Sequence, residues 1–171
     1  PYSKTLNKVN YPVAAMDMEI WSPAIPVLKG TKPFEHMPFL VCFQNETHSD
    51  YYLSDLKTDD RKEFAVQIIE LSKPYETILV YDKTMEVLVL NTLIKQFPEL
   101  QSGIDALKNK LLDVFDVFLN LDYYDPAFRG NFSLKTVSSV LLKDVVNYTT
   151  INSGLEAMSY FDQYRQEEDA V

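Results

Sequence analysis

Val13-Ala14-Ala15-Met16-Asp17-Met18-Glu19 opens on β-friendly apolar residues and closes on two acids spaced i, i+2. Alternate residues of a strand share a face, so the two carboxylates project from one side, about 7 Å apart along the backbone. That spacing can share one cation. By itself an Asp-x-Glu pair is weak evidence, because solvated acids on an edge strand give the same pattern. Its setting is more informative: the apolar half precedes the acids, so they sit where a buried strand emerges into an irregular stretch. That stretch, Trp21 to Pro38, carries Pro23, Pro26 and Pro33 and lacks helical periodicity.

Outward from there the chain alternates. Phe39 to Phe43 and Tyr51 to Leu53 flank a polar turn and predict an antiparallel hairpin. Thr58-Asp59-Asp60 offers N-cap candidates for a helix with Phe64, Ile68 and Leu71 on one face, ended by Pro74. Thr77 to Tyr81 reads as a buried strand, and a helix follows from about Lys83 to Gln96. Pro98 starts a turn or a new helix running to Lys110. Leu111 to Leu119 is apolar but interrupted by Asp113 and Asp116, a pattern that fits strand and helix equally. Tyr123 to Asn131 is a loop, Ser133 caps a helix containing Val137, Val140 and Leu141, and a last helix runs from about Leu155 to Gln166. Strands first, then alternating strand and helix, is the pattern of an α/β layer on a mixed sheet.

The length of 171 residues, 46% of them hydrophobic, suits a single domain spanning residues 1–171 with one continuous core. No apolar run reaches the length of a membrane span, and Pro1-Tyr2-Ser3-Lys4 lacks a signal-peptide pattern, so the expectation is a soluble, cytoplasmic chain without membrane association. The absence of an initiator Met and the polar segments at both ends suit a domain excised from a longer protein. The single cysteine, Cys42, and two histidines leave little for soft-metal chemistry, so any metal is expected to be held by oxygen. A net charge of −9 argues against a general nucleic-acid coat. It is compatible with a nuclease, since bound cations present their own charge to phosphate and neighbouring domains can supply a basic track.

Four further acids stand out. Asp82 and Glu86 lie where a buried strand ends and a helix begins, the place where open α/β sheets bind ligands, though both also suit simple complementation of a helix N-terminus. Asp113 is a charge inside an apolar run and needs a partner or a metal if buried. Glu156 falls on the first turn of the last helix, where capping is again the plain alternative.

Taken in order, Asp17-x-Glu19, Tyr81-Asp82-x-x-Met85-Glu86, Leu112-Asp113-Val114 and Gly154-Leu155-Glu156-Ala157 resemble the motifs of the DEDD (DnaQ-like) 3′–5′ exonucleases. More closely, almost the whole chain resembles a bacterial domain-of-unknown-function family placed in that superfamily. Two loops carry this likeness. One is an Ala-Ile-Pro…Gly-Thr-x-Pro-Tyr…Ile-Pro-Phe loop, matched by Ala24-Ile25-Pro26, Gly30-Thr31-Lys32-Pro33-Phe34 and Met37-Pro38-Phe39. The other is a Tyr-Tyr-His-Pro-x-Phe-Lys-Gly-Ser-Phe-Ser segment, matched by Tyr123-Tyr124-Asp125-Pro126-Ala127-Phe128-Arg129-Gly130-Asn131-Phe132-Ser133.

The resemblance implies a ribonuclease-H-like fold, a five-stranded mixed sheet flanked by helices. It also implies that Asp17, Glu19, Glu86 and Glu156 act as catalytic acids holding two Mg²⁺ or Mn²⁺ ions, with Asp82 and Asp113 as additional acids. The implied activity is a 3′–5′ exonuclease on single-stranded DNA or RNA, working beside other domains of a longer chain. Departures from the motifs bear on this: Asp82 stands where Asn is usual, Glu86 where Asp is usual, and Ile151 and Asn152 occupy the positions of the usual Tyr or His general base. The competing readings are therefore a catalytically degenerate domain that binds nucleic acid or protein, and an interaction domain with surface acids. In the two long loops, Trp21, Phe34, Tyr123 and Tyr124 are candidates for stacking on bases at about 1–3 kcal/mol each, and Lys32 and Arg129 for meeting phosphate. At least half of these rings are expected to pack the loops onto the sheet instead.

Overall fold

A computed structural model describes residues 3–142 and 153–167. The acidic strand is β1 (Val13–Trp21), at the centre of a five-stranded sheet ordered β3-β2-β1-β4-β5. The hairpin partners are β2 (Met37–Gln44) and β3 (Ser49–Leu53), both paired antiparallel; β4 (Thr77–Val80) and β5 (Leu111–Asp113) run parallel to β1. This mixed order is the ribonuclease-H-like arrangement expected from the sequence. The prolines preceding Phe39 do not delay β2, because Pro38 sits at the irregular start of its pairing with β1, opposite Ile20.

Parallel strands need crossovers, and three helices supply them: α1 (Arg61–Ser72), α2 (Thr84–Gln96) and α3 (Gln101–Lys110). Their apolar faces meet one side of the sheet. Ala14, Met16 and Met18 of β1 and Val41 and Phe43 of β2 join Phe64, Ile68, Val89, Leu90, Leu93, Ile104 and Leu107 in the main core. Burying each large side chain contributes roughly 1.5–3 kcal/mol. By alternation, Ala15, Asp17 and Glu19 point to the opposite side. The register sets Asp17, Cys42 and Tyr51 in one row across β1, β2 and β3.

The ambiguous run 111–119 resolves into both alternatives. Three residues form β5, Asp113 ends it, and Phe115–Leu119 form the short helix α4. Two more helices follow, α5 (Leu134–Leu141), capped by Ser133 Oγ accepting from Thr136 N–H, and α6 (Gly154–Glu167). A register shift between Glu19 and Ile20 leaves Phe39 of β2 as the extra residue, turning it away from the face of Val41 and Phe43. It joins Trp21, on the Asp17 and Glu19 face of β1 by alternation, in a second apolar cluster with Leu28, Met37, Leu56 and Phe161 of α6. A third cluster joins α4, the Tyr123–Asn131 loop and α5 through Val117, Phe118, Phe128 and Val137. Among the described residues no helix is long and apolar enough to cross a membrane.

Candidate functional site

The β1–β4 ladder covers only Val13 to Ala15, so Asp17 and Glu19 lie beyond the last residue of β1 that pairs with β4. This is the crevice outside the carboxyl ends of parallel strands. Glu86 reaches the same place from the first turn of α2. It is only 8% exposed, and its Oε2 is buried without a hydrogen-bond partner among the described residues. Burial pushes the Glu86 carboxyl above its ordinary range; a backbone hydrogen bond at the helix start opposes this, and the charges of Asp17, Asp82 and Asp113 add to it. Burial likewise raises Glu19, with Asp17 contributing. Asp17 therefore acts on both glutamates, and the three carboxylates share one neighbourhood.

The first turn of α6 meets this group through Gly154, which packs against the Glu19 carboxylate. Ser153 Oγ accepts from Glu156 N–H at 3.2 Å, so the N-terminal turn is capped. Glu156 itself is exposed, and its charge is not among those that shift Glu19 or Glu86. Among the described residues no three Asp, Glu, His or Cys side chains are drawn around one point as an ion would require. The expected base positions, Ile151 and Asn152, lie outside the described residues.

Asp82 and Asp113 serve the backbone. Asp82 adopts φ 60°, and its Oδ1 accepts from Thr84 Oγ1 at 2.6 Å and from Thr84 N–H at 3.4 Å, closing the turn into α2. Asp113 is 6% exposed. Its Oδ1 accepts from the N–H groups of Asp82 at 2.9 Å and Phe115 at 3.0 Å, and its Oδ2 from that of Lys83 at 3.0 Å. The partner that a buried charge in an apolar run requires is thus three backbone amides.

Placement separates the candidate substrate contacts. Trp21 is 2% exposed, set edge-on to Phe161 at 5.7 Å and beneath the Arg165 guanidinium at 4.3 Å, which removes it from the surface as a stacking platform. What buries it is α6, whose docking has no signature in the sequence around Trp21. Phe34, Tyr123 and Tyr124 keep exposed edges. The tyrosines nevertheless pack on their own loop, Tyr123 on Phe118 and Phe128, and Tyr124 on Phe128 and Phe132. Lys32 is exposed, and its backbone N–H donates to Glu35, whose carboxylate also accepts from Arg61 of α1 and Gln96 of α2, so this loop is tied to the helices of the other face. Arg129 is exposed in a left-handed conformation at φ 50°, with no ion pair among the described residues.

Tyr81, Leu134 and Phe161 were not singled out in the sequence. A recess of about 380 Å³ on the acidic side is lined by Ala15, Asp17, Cys42, Tyr81, Val114 and Leu134, among others. Tyr81 donates its hydroxyl hydrogen bond to the Phe132 carbonyl, which brings the end of the aromatic loop to the rim of that recess. Tyr81 was legible as the residue between a buried strand and Asp82; Leu134 and Phe161 depend on helix docking.

Fold and site together define an α/β domain of ribonuclease-H-like arrangement with acids gathered at the carboxyl end of its central strand. Residues 14–133 match the family described as a domain of unknown function (DUF2779), and the chain belongs to that family. A search of curated proteins and a search of solved structures each gave no match.

Proposed function

We propose that this domain is a divalent-metal-dependent nuclease of the DEDD type, hydrolysing phosphodiester bonds from the 3′ end of single-stranded DNA or RNA. The observation that carries the reading is Glu86: a carboxylate held 8% exposed beside Asp17, with one oxygen lacking a donor among the described residues, is costly unless something cationic completes it. The all-oxygen donor set fits Mg²⁺ or Mn²⁺, held by Asp17, Glu19, Glu86 and, from the first turn of α6, Glu156. When bound, such ions activate water and stabilise the leaving oxygen. The chain's own acids anchor the ions and exclude competing anions, while Arg129 and the exposed edge of Tyr124 offer contacts to phosphate and base. With a net charge of −9, the reading includes a basic track supplied by other domains of a longer chain and a reducing, cytoplasmic setting for the free Cys42.

A second reading is favoured by one observation. Ile151 and Asn152 stand where the motif has Tyr or His, so a domain that binds nucleic acid or protein without cleaving is the alternative. Thermal melts with Mn²⁺, with and without a nucleoside monophosphate, combined with digestion of single strands labelled at either end, separate the two. A Mn²⁺-dependent rise in Tm with progressive shortening from the 3′ end supports the nuclease; the rise without shortening supports the binding domain. The absence of any Mn²⁺ response removes both metal readings.

A further inference from the structure

We propose that Asp113 is a positioning residue for the acidic site: by accepting from the N–H groups of Asp82, Lys83 and Phe115, its carboxylate fixes the turn that starts α2 and thereby holds Glu86 beside Asp17. The inference rests on the reading of Glu86 as a metal ligand. Asp113 ends β5, yet two of its three donors belong to a different crossover, thirty-odd residues earlier in the chain. One carboxylate thus joins the start of α4 to the start of α2, and Val114 N–H donating to the Val80 carbonyl at 2.8 Å closes the same junction.

The turn needs such a clamp. Asp82 sits at φ 60°, a left-handed conformation that a non-glycine residue adopts only where its surroundings hold it. Glu86 follows three residues after Lys83, so a shift of the Lys83 amide carries the first turn of α2 with it. Charge-assisted hydrogen bonds to backbone N–H groups are stronger than neutral ones, and they occupy most of the acceptor capacity facing the turn. Asn at this position keeps the shape but turns an NH₂ donor toward one of the amides, leaving two donors face to face.

The test compares wild type, Asp113→Asn, Glu86→Gln and the double variant by calorimetric titration with Mn²⁺ alone, well below the melting temperature of each. Ser72→Ala, which removes a hydrogen bond to the Ile69 carbonyl at the end of α1 just before β4, controls for lost stability at the end of the parallel strands away from the acids. Asp113→Asn is expected to weaken Mn²⁺ about 10–100-fold, as supporting partners of metal ligands generally do, and to add no further loss in the Glu86→Gln background; Ser72→Ala leaves the affinity unchanged. An affinity within twofold of wild type for Asp113→Asn, or a loss additive with Glu86→Gln as for an independent ligand, overturns the proposal. If wild type binds no Mn²⁺ with or without a nucleoside monophosphate, the ligand reading of Glu86 fails, and amide exchange in the metal-free protein decides the role of Asp113. Lost protection at Asp82, Lys83 and Phe115 with altered nuclear Overhauser contacts of the Glu86 methylenes supports the clamp; retained protection ends it.

Discussion

Gly154 packs so closely on Glu19 that a Cβ at position 154 would lie 3.0 Å from Glu19 Oε2. The neighbour that must yield is the end of a flexible side chain, whereas replacing a glycine at the first position of α6 reduces the chain entropy lost on folding. Gly154→Ala is therefore expected to leave Tm unchanged or slightly higher while reducing the Mn²⁺-induced rise in Tm. A variant with an undiminished Mn²⁺ response would mean that the position of the Glu19 carboxylate does not matter to the metal.

The paired substitution Asp17→Asn and Glu19→Gln removes two like charges from one strand face. In the metal-free domain it should raise Tm, because Asp17 and burial together disfavour the charged form of Glu19. The Mn²⁺-induced rise in Tm should disappear at the same time. Differential scanning calorimetry with and without Mn²⁺ reads both effects; a lower metal-free Tm would contradict repulsion between the two acids.

Stability of the metal-free domain should carry the mark of Glu86 in its pH dependence. Its folded-state carboxyl is raised above the ordinary 4.5, so its favourable contribution is complete below 4.5 and is lost as pH rises through the folded value. Glu86→Gln is then expected to raise Tm at neutral pH, with the gain vanishing on acidification. Asp59 runs the other way: the hydrogen bond from Arg61 holds it below 3.8, so its contribution is present above that value and fades as pH falls through the lowered one. A pH-independent effect of Glu86→Gln would show that Glu86 is solvated.

Phe161 fastens α6 to the sheet, stacked on Phe39 at 4.1 Å and edge-on to Trp21. Its replacement by Ala should cost about 3–5 kcal/mol of unfolding free energy in urea, the range for a buried aromatic. A loss under about 1 kcal/mol would indicate that α6 is not anchored there.

Arg129 is the cation of the aromatic loop without an ion pair among the described residues. If it meets phosphate, Arg129→Ala weakens binding of a single-stranded oligonucleotide in fluorescence anisotropy and lowers the slope of log affinity against log salt by about 0.7. An unchanged slope would take the loop out of nucleic-acid recognition.

The layer pattern was legible because β1 and β4 are short β-friendly apolar runs, Phe64, Ile68 and Leu71 recur at helical spacing in α1, and Pro74 and Pro98 mark helix ends. The split of 111–119 into β5 and α4 was not, since Asp113 reads as an interruption until the amides it accepts from are known. Trp21 looked like a loop aromatic because the strand was expected to end at Glu19, whereas pairing with Pro38 and Met37 of β2, a non-local event, carries β1 on to Trp21. The likeness to a family of unknown function was carried by the two loops, and the matching span of residues 14–133 includes both. Among the acids, Asp17, Glu19 and Glu86 followed from strand and helix positions. The separate places of Glu156, Asp82 and Asp113 followed only from how the turns close.

Cys42 stands opposite Asp17 in the strand register, partly exposed, and is the sole thiol of the chain. Directly opposed side chains lie about 4.5–5.5 Å apart at Cβ, so the unmodified sequence already carries a single attachment point at the rim of the acids. A nitroxide or fluorophore coupled there would report paramagnetic broadening or quenching by an arriving Mn²⁺ at a known place, with no background cysteine to remove.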